Sequence, residues 1–239
     1  MQKSPKSYLE QTRGILYSYL IAIPLLIAYE ILILVSQPSD QAVRISIDIW
    51  FKTIFQSLGV NAISATLIVA AFVGAIILYV KRAELPHLKK IYFLSMVLES
   101  AVYAVLVTIV IIGFLETVLM LNLNNSVESL DKIQLFALSL GAGLYEELFF
   151  RVILVGGLSY LFMNFFSKKA TAYIIAALIA ALIFSGVHYI GQYGDLFTLD
   201  SFLFRFLFGL ALNLIYVTRG FGIAAWTHAL YDIFVISQM

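Results

Sequence analysis

The stretch Gly141-Ala-Gly-Leu-Tyr-Glu146-Glu147-Leu-Phe-Phe-Arg151 places two adjacent acids and a base inside an apolar run. Each charged side chain near the centre of a bilayer costs about 2.5–3.5 kcal/mol on insertion scales. Two later apolar runs each carry a histidine, His188 and His228. Together these groups indicate an acid/base site within a bundle of membrane helices.

The composition of the chain is typical of a protein that crosses the membrane several times. Of its 239 residues, 62% are hydrophobic and only 12% are charged, whereas soluble domains carry about 25% charged residues. A net charge of +1 gives no reason to expect a nucleic-acid partner. Because the chain has no cysteine, disulfides and thiolate chemistry are excluded.

Runs of about 20 apolar residues predict spanning helices. We predict an all-α membrane bundle that forms a single domain over residues 1–239, with the first span a retained anchor rather than a cleaved signal peptide. The fourth predicted span is long, so we expect it to tilt, to kink near Gly141 and Gly143, or to protrude. The seven predicted spans cover residues 14–35, 62–80, 91–113, 133–164, 170–188, 201–217 and 221–237.

Residues 43–58 show a different pattern, in which polar side chains recur every four positions along one face. This pattern predicts an amphipathic helix that lies at the membrane surface. Its polar face comprises Arg44, Asp48, Lys52 and Gln56, and its apolar face comprises Val43, Ile47, Trp50, Ile54 and Leu58.

The distribution of Lys and Arg predicts the orientation of the chain in the membrane. With seven spans, the basic residues outside the spans fall mostly on the side of the N-terminus. We therefore predict a cytoplasmic N-terminus and an outside C-terminus, in a prokaryotic plasma membrane. The N-terminal side holds Lys3, Lys6, Arg13, Lys81, Arg82, Lys89, Lys90, Lys168, Lys169 and Arg219, against Arg44, Lys52 and Lys132 on the other side.

The helical rise of about 1.5 Å per residue allows the depths of the motif residues to be compared. Glu147 lies about 33 Å from Lys169 along the chain, and His188 lies about 29 Å from Lys169, so the two can share one depth. His228 lies only about 14 Å beyond Arg219. It reaches the same depth only if the turn Arg219-Gly-Phe-Gly222 re-enters the bundle or the sixth span is displaced.

Residues four apart share one face of a helix, and two such pairs occur among the candidate residues. Glu147 precedes Arg151, which is the order that favours an ion pair along the helix. Glu146 points about 100° away from Glu147 and lacks this partner, which suits a general base. Asp232 follows His228 by four residues and could hold one ring N–H.

Three short motifs follow one another on successive apolar helices: Glu146-Glu147-x-x-x-Arg151, Phe184-x-x-x-His188 and His228-x-x-x-Asp232. In this order they resemble the CPBP (Abi) family, which comprises CAAX prenyl endopeptidases and bacteriocin-processing or immunity proteins. The resemblance covers residues 130–237 as a CPBP-like catalytic core, whereas the spans in residues 1–129 have no assigned role.

The resemblance implies a glutamate-type intramembrane endopeptidase that acts on membrane-associated proteins or peptides without a cofactor. The prenyl endopeptidases have Asn at the position of Asp232, and an ionised Asp cannot donate a hydrogen bond to an oxyanion. Either Asp232 is protonated, or it orients His228, which then donates alone. The implied roles are water activation for Glu146 and His188, oxyanion stabilisation for His228 and Asp232, and support of the site for Glu147 and Arg151.

Other interpretations of the same residues stay open. A zinc site could use Glu146, His188, His228 and Asp232, although no His-Glu-x-x-His motif is present. A membrane scaffold or immunity protein would keep the motifs without turnover, and a proton-coupled transporter would use such groups as a relay. The ionisable residues outside the motifs, which include Glu30, Glu99 and Arg205, have no spacing that ties them to the site, so we expect them to pack or to snorkel.

Overall fold

A computed structural model describes residues 7–36, 46–57, 59, 62–118, 131–190 and 194–237. Within these ranges the regular structure is entirely helical and contains no strand, so the predicted all-α class is confirmed for them. The α-helices are α1 (Tyr8–Thr12), α2 (Ile15–Ser36), α3 (Ser46–Ser57), α4 (Ala62–Val80), α5 (Lys90–Val118), α6 (Lys132–Gly141), α7 (Gly156–Phe162), α8 (Lys169–Val187), α9 (Leu199–Arg219) and α10 (Phe221–Ser237). A 3₁₀ turn covers Arg82–His87, and two π-helical stretches, Ala142–Glu146 and Leu148–Val155, lie between α6 and α7.

Several of these helices are suited to a membrane. Among the described residues, four helices are long and apolar enough to cross it, whereas Thr66–Val80 and Phe221–Ser237 are apolar but shorter. The chain is therefore a multi-pass membrane protein, and the predicted count of seven spans is not confirmed. The four long helices are Ile15–Ser36, Lys90–Thr117, Lys169–Val187 and Leu199–Arg219.

The region predicted as the fourth span is a helical segment whose turns widen in the middle. α6 leads into the two π-helical stretches, which lead into α7. Glu146 ends the first stretch, and Glu147 lies between the two. Each π turn inserts an extra residue into a helix, and such turns are frequent at functional sites. The widening begins between Gly141 and Gly143, where the sequence predicted a departure from a straight helix.

Helix α10 occupies the centre of the bundle, where it packs against α2, α5, α6, α9 and the first π-helical stretch. Small side chains allow membrane helices to approach each other closely. A Cβ atom on Gly143 would lie 2.4 Å from the carbonyl oxygen of Ala225, so the two backbones are in direct contact. The small buried residues of α10 are Gly222, Ala224, Ala225, Thr227 and Ala229.

The turn between α9 and α10 packs against α1 and α5. Arg219 is buried, and its Nη2 donates to the Glu99 carboxylate of α5 at 2.8 Å. The same guanidinium donates to Thr12 Oγ1 at 2.9 Å and to the Leu9 carbonyl at 3.0 Å. Gly220 follows with a φ of 89°, a conformation that favours glycine. Glu99 therefore anchors this turn to α5, instead of only packing as expected.

The contacts of this turn bear on the depth of His228. Glu99 lies nine residues beyond Lys90, or about 14 Å along α5. A Cβ atom on Gly220 would lie 2.8 Å from the Arg13 carbonyl oxygen, so the turn is also level with the start of α2. The two alternatives that the sequence raises for the depth of His228 stay predictions.

Helix α3 is amphipathic as predicted, but its polar face is turned inward. Asp48 and Lys52 are 0% and 6% exposed, whereas Trp50 and Ile54 are 45% and 58% exposed. The prediction that this polar face meets the membrane surface is therefore wrong for Asp48 and Lys52. The reason is the buried Glu30 of α2, which binds Lys52 Nζ at 2.8 Å and draws it into the bundle. Ile47 of the predicted apolar face is buried, and Gln56 of the polar face is exposed. Val43, Arg44 and Leu58 lie outside the described residues.

We expect Gly143→Ala to destabilise the folded protein by about 1–3 kcal/mol, because the added methyl group overlaps the backbone of α10. Thermal unfolding in detergent micelles measures the change. Gly157→Ala is the matched control, since a Cβ atom there meets open space and Ala is the better helix former by about 1 kcal/mol. Wild-type stability of the Gly143→Ala variant would contradict the close approach.

Candidate active site

Three of the candidate side chains meet around the Glu146 carboxylate. Glu146 Oε2 lies 4.0 Å from Nε2 of His188 and 4.0 Å from Nε2 of His228. Both separations exceed direct hydrogen-bonding distance, so a water molecule or a substrate oxygen can bridge either of them. The fold therefore brings the three motifs, which come from separate helical segments, to one point.

His188 is oriented by the backbone of its own helix. Its Nδ1 lies 2.7 Å from the Phe184 carbonyl oxygen. A carbonyl oxygen can only accept, so Nδ1 carries the proton of this hydrogen bond. In the neutral ring, Nε2 is then an acceptor that faces Glu146. Phe184 also packs edge-on against the His188 ring, with 5.0 Å between the ring centres. The Phe-x-x-x-His motif therefore orients His188 through both the backbone carbonyl and the aromatic ring of Phe184.

His228 is oriented by Glu147 rather than by Asp232. Its Nδ1 lies 2.8 Å from Glu147 Oε1, whereas Asp232 Oδ2 lies 3.7 Å from Nε2. The prediction that Asp232 holds a ring N–H is therefore wrong. The close contact of the π-helical segment with α10 at Gly143 brings Glu147 within hydrogen-bonding distance of the ring. Nε2 of His228 is left facing both Asp232 and Glu146.

Glu147 and Arg151 form the predicted ion pair, with 2.9 Å between Oε1 and Nη1. Both side chains are almost completely buried, at 0% and 1% exposed. Arg151 Nη2 also donates to the Gly209 carbonyl of α9 at 3.3 Å. Its guanidinium lies 4.8 Å from the ring centre of Phe184 on α8, which is a favourable cation–π distance. One cation thus connects the π-helical segment to α8 and α9.

Exposure differs between the two sides of the site. Glu147 and Arg151 are sealed, whereas the side chains of His188 and Asp232 are 25% and 27% exposed. Glu146 lies between these extremes, with 12% of its side chain exposed. A substrate can therefore approach from the side of His188 and Asp232.

Arg205 lies on the side of His188 and Asp232. Its position in the sequence predicted no role for it. It donates to Ser201 Oγ at 2.6 Å and to the Tyr189 hydroxyl at 2.9 Å, and it also binds the Asp195 carboxylate. The backbone N–H of Asp195 in turn donates to the His188 carbonyl at 2.9 Å. Arg205 therefore holds Asp195 beside His188. No fixed spacing in the sequence signals a pairing between α9 and Asp195.

The distances between the candidate side chains can be compared with those between the ligands of a zinc ion. Among the described residues, no group of three or more His, Cys, Asp or Glu side chains is placed to hold a metal ion. Two ligands of one tetrahedral zinc lie about 3.3 Å apart, given zinc–nitrogen bonds of about 2.0–2.1 Å. The distance from Glu146 Oε2 to each histidine Nε2 is 4.0 Å. The expectation that no cofactor takes part stays a prediction.

Residues 128–234 match a family model described as type II CAAX prenyl endopeptidase, Rce1-like. The predicted family resemblance is confirmed. The matched region is somewhat less than half of the chain, and it contains every candidate residue from Glu146 to Asp232. No curated protein and no solved structure matches the chain. At the level of the family, the match supports a membrane-embedded protease.

We expect Arg151→Met to destabilise the protein by about 3–5 kcal/mol, because it removes the guanidinium that pairs with the buried Glu147 carboxylate. Adding Glu147→Gln removes that charge and should restore most of the lost stability. Unfolding of both variants in the same detergent measures the difference. If the double variant is as unstable as Arg151→Met alone, packing of the guanidinium on Phe184 is the larger contribution, and the charge argument is wrong.

Proposed function

We propose that the protein is a glutamate-type intramembrane endopeptidase that hydrolyses peptide bonds of membrane-associated proteins or peptides. The observation that carries the proposal is the position of Glu146 between the Nε2 atoms of His188 and His228, at 4.0 Å from each. A carboxylate so placed can take a proton from water and return it to a leaving group. The family match of residues 128–234 supports the same class of reaction.

In the proposed reaction, water binds between Glu146 and His188. His188 Nε2 accepts one hydrogen bond and aligns the water, and Glu146 takes its other proton as the oxygen attacks the substrate carbonyl carbon. A C–O bond forms, and negative charge develops on the carbonyl oxygen. When the C–N bond breaks, Glu146 delivers the proton to the departing nitrogen. The products are a new carboxyl group and a new amine.

His228 would hold the negative carbonyl oxygen. Because its Nδ1–H is directed at Glu147, its Nε2 can donate only when the ring carries both protons. The carboxylates of Glu146, Glu147 and Asp232 all lie within 4.0 Å of the ring and would balance the charge of an imidazolium. Removing one oxyanion donor typically costs about 10²–10³ in kcat.

Asp232 would act through its charge and not as a donor. Its carboxylate faces His228 Nε2 at 3.7 Å from the exposed side. A carboxylate only accepts hydrogen bonds, so donation to the oxyanion falls to His228. Asp232 then balances the imidazolium and leaves Nε2–H directed at the substrate. Glu147 and Arg151 hold the geometry from the sealed side.

The proposal includes the predictions made from the sequence for partners, cofactors and membrane orientation. The partners are a peptide substrate and the lipid bilayer, without nucleic acid and without a cofactor. The Lys and Arg distribution predicts a cytoplasmic N-terminus and an outside C-terminus in a prokaryotic plasma membrane. A non-catalytic scaffold or immunity protein of the same family is the alternative, and turnover separates the two.

We expect Glu146→Gln to lower peptide hydrolysis by at least about 10²–10⁴-fold, because the amide cannot take a proton from water. Wild type and variant are reconstituted in lipid, incubated with membrane-associated peptides, and compared by mass spectrometry. Glu116→Gln, at an exposed acid of α5, is the matched control and should keep wild-type activity.

Chelator distinguishes the remaining outcomes of this experiment. Wild-type cleavage that resists chelator supports the glutamate-type reaction. Cleavage that is lost with chelator and restored by zinc identifies a metalloprotease instead. Absence of cleavage by the wild type contradicts the protease proposal and favours the scaffold or immunity protein.

We expect Asp232→Asn to keep kcat within about tenfold of the wild type, since the amide fills the same space and can donate to the oxyanion directly. Asp232→Ala removes both the charge and any donor, so its kcat should fall by about 10²-fold. Steady-state hydrolysis in lipid measures both variants. An equal loss in the two would show that the charge of Asp232 is essential and that an amide donor does not replace it.

A further inference from the structure

A cluster of buried polar groups lies on the side of the π-helical segment that α3 covers. Lys52 Nζ lies 2.8 Å from Glu30 Oε1 and 3.0 Å from Asp48 Oδ1. Tyr29 donates to Asp48 at 2.7 Å, and Tyr145 donates to Glu30 at 3.1 Å. All five side chains are buried. We refer to these five residues as the Lys52 cluster.

The Lys52 cluster joins two parts of the chain that the family match separates. Its α2 and α3 members, among them Glu30 and Lys52, precede residue 128, where the match begins. Tyr145 lies inside the match, in the first π-helical stretch. Removing one partner of a buried ion pair costs about 3–5 kcal/mol. A cluster of this kind therefore holds α2, α3 and the π-helical segment in one defined arrangement.

Tyr145 is the residue immediately before Glu146. Among the described residues, Glu146 Oε2 has no hydrogen-bond partner. The direction of this carboxylate therefore depends on the backbone that carries it. That backbone is held after Glu146 by the buried contacts of Glu147, and before it by the hydrogen bond from Tyr145 to Glu30.

Aromatic packing extends the same attachment along the segment. The Phe51 ring of α3 lies 6.4 Å from the ring of Tyr145, and the Trp50 ring lies 5.8 Å from that of Phe149. α3 therefore contacts both π-helical stretches. Lys52 fastens α3 to α2 through Glu30.

We propose that the Lys52 cluster positions the general base of the reaction. Lys52, acting through Glu30 and Tyr145, holds the π-helical segment so that Glu146 faces the two histidines. This inference rests on the proposed function, which assigns the general base to Glu146. The N-terminal region, which lies outside the family match, would then help to position the general base. Lys52 and Tyr145 are positioning residues, because they act on the reaction through Glu146.

The first test removes the one described hydroxyl that joins the cluster to the π-helical segment. Tyr145→Phe leaves Lys52 paired with both acids, so the protein should fold. We expect kcat to fall by about 10- to 100-fold, as for a misplacement of about 1 Å, while KM stays within about twofold. Tyr17→Phe is the matched control, because Tyr17 is equally buried but bonds the Lys89 amide of the N-terminal region, at 2.8 Å.

The second test compares two changes of the cation. Lys52→Met removes the ammonium group that binds Glu30 and Asp48, and we expect kcat per folded protein to fall by about 100-fold. Lys52→Arg keeps the charge and should recover most of that loss. The folded fraction of each variant is measured by thermal unfolding, so that kcat refers to folded protein alone.

A third readout does not depend on activity. Hydrogen exchange reports local opening of a segment, so the amides of Ala142–Val155 should exchange faster in Tyr145→Phe than in wild type. Those of α8 should not change, and Tyr17→Phe should match the wild type throughout. Faster exchange together with no cleavage by wild-type protein would support the attachment of the segment and reject the protease function.

Two results would overturn the positioning role. One is unchanged kcat and unchanged exchange of Ala142–Val155 in both Tyr145→Phe and Lys52→Met. The other is a loss of activity that only follows the loss of folded protein, with kcat and KM per folded protein unchanged and no rescue by Lys52→Arg. That second result would assign the cluster a purely structural role.

Discussion

The Glu147 carboxylate is shared between Arg151 on its own helical segment and His228 on α10, and the rest of the site depends on this contact. A charge buried without partners costs several kcal/mol, so the acid and its two partners are kept together. Arg151 extends the attachment to the Gly209 carbonyl and to the ring of Phe184. One buried carboxylate thereby relates the positions of the π-helical segment, α8, α9 and α10.

The two adjacent glutamates differ in what surrounds them. Glu147 is fully buried, and its Oε1 contacts both Arg151 and His228 at hydrogen-bonding distance. Glu146 is partly exposed and lies 4.0 Å from Nε2 of each histidine, which leaves room for a water molecule. Glu147 holds the geometry of the site, and Glu146 has the space to bind water and exchange a proton.

The helices that precede the family match hold the site at two places. Near the start of α10, Glu99 and Thr12 bind Arg219 and hold the turn against α1 and α5, and His228 further along α10 lies beside Glu147. Near the π-helical segment, Glu30 binds Tyr145. The motif residues thus come from the C-terminal region, and two of the contacts that set their positions come from the N-terminal region.

The sequence by itself determined the membrane class, the helical fold and the residues that meet at the site, because charges within apolar runs and i, i+4 spacings are local features. It also predicted the Glu147–Arg151 pair, since both residues share one segment. Only the tertiary structure decided that Glu147 orients His228, that Glu99 binds Arg219 at the α9–α10 turn and that Asp48 and Lys52 of α3 point inward. Each of these depends on a partner far away in the chain. Helical periodicity shows which side chains share a face, but it does not show which helix that face meets.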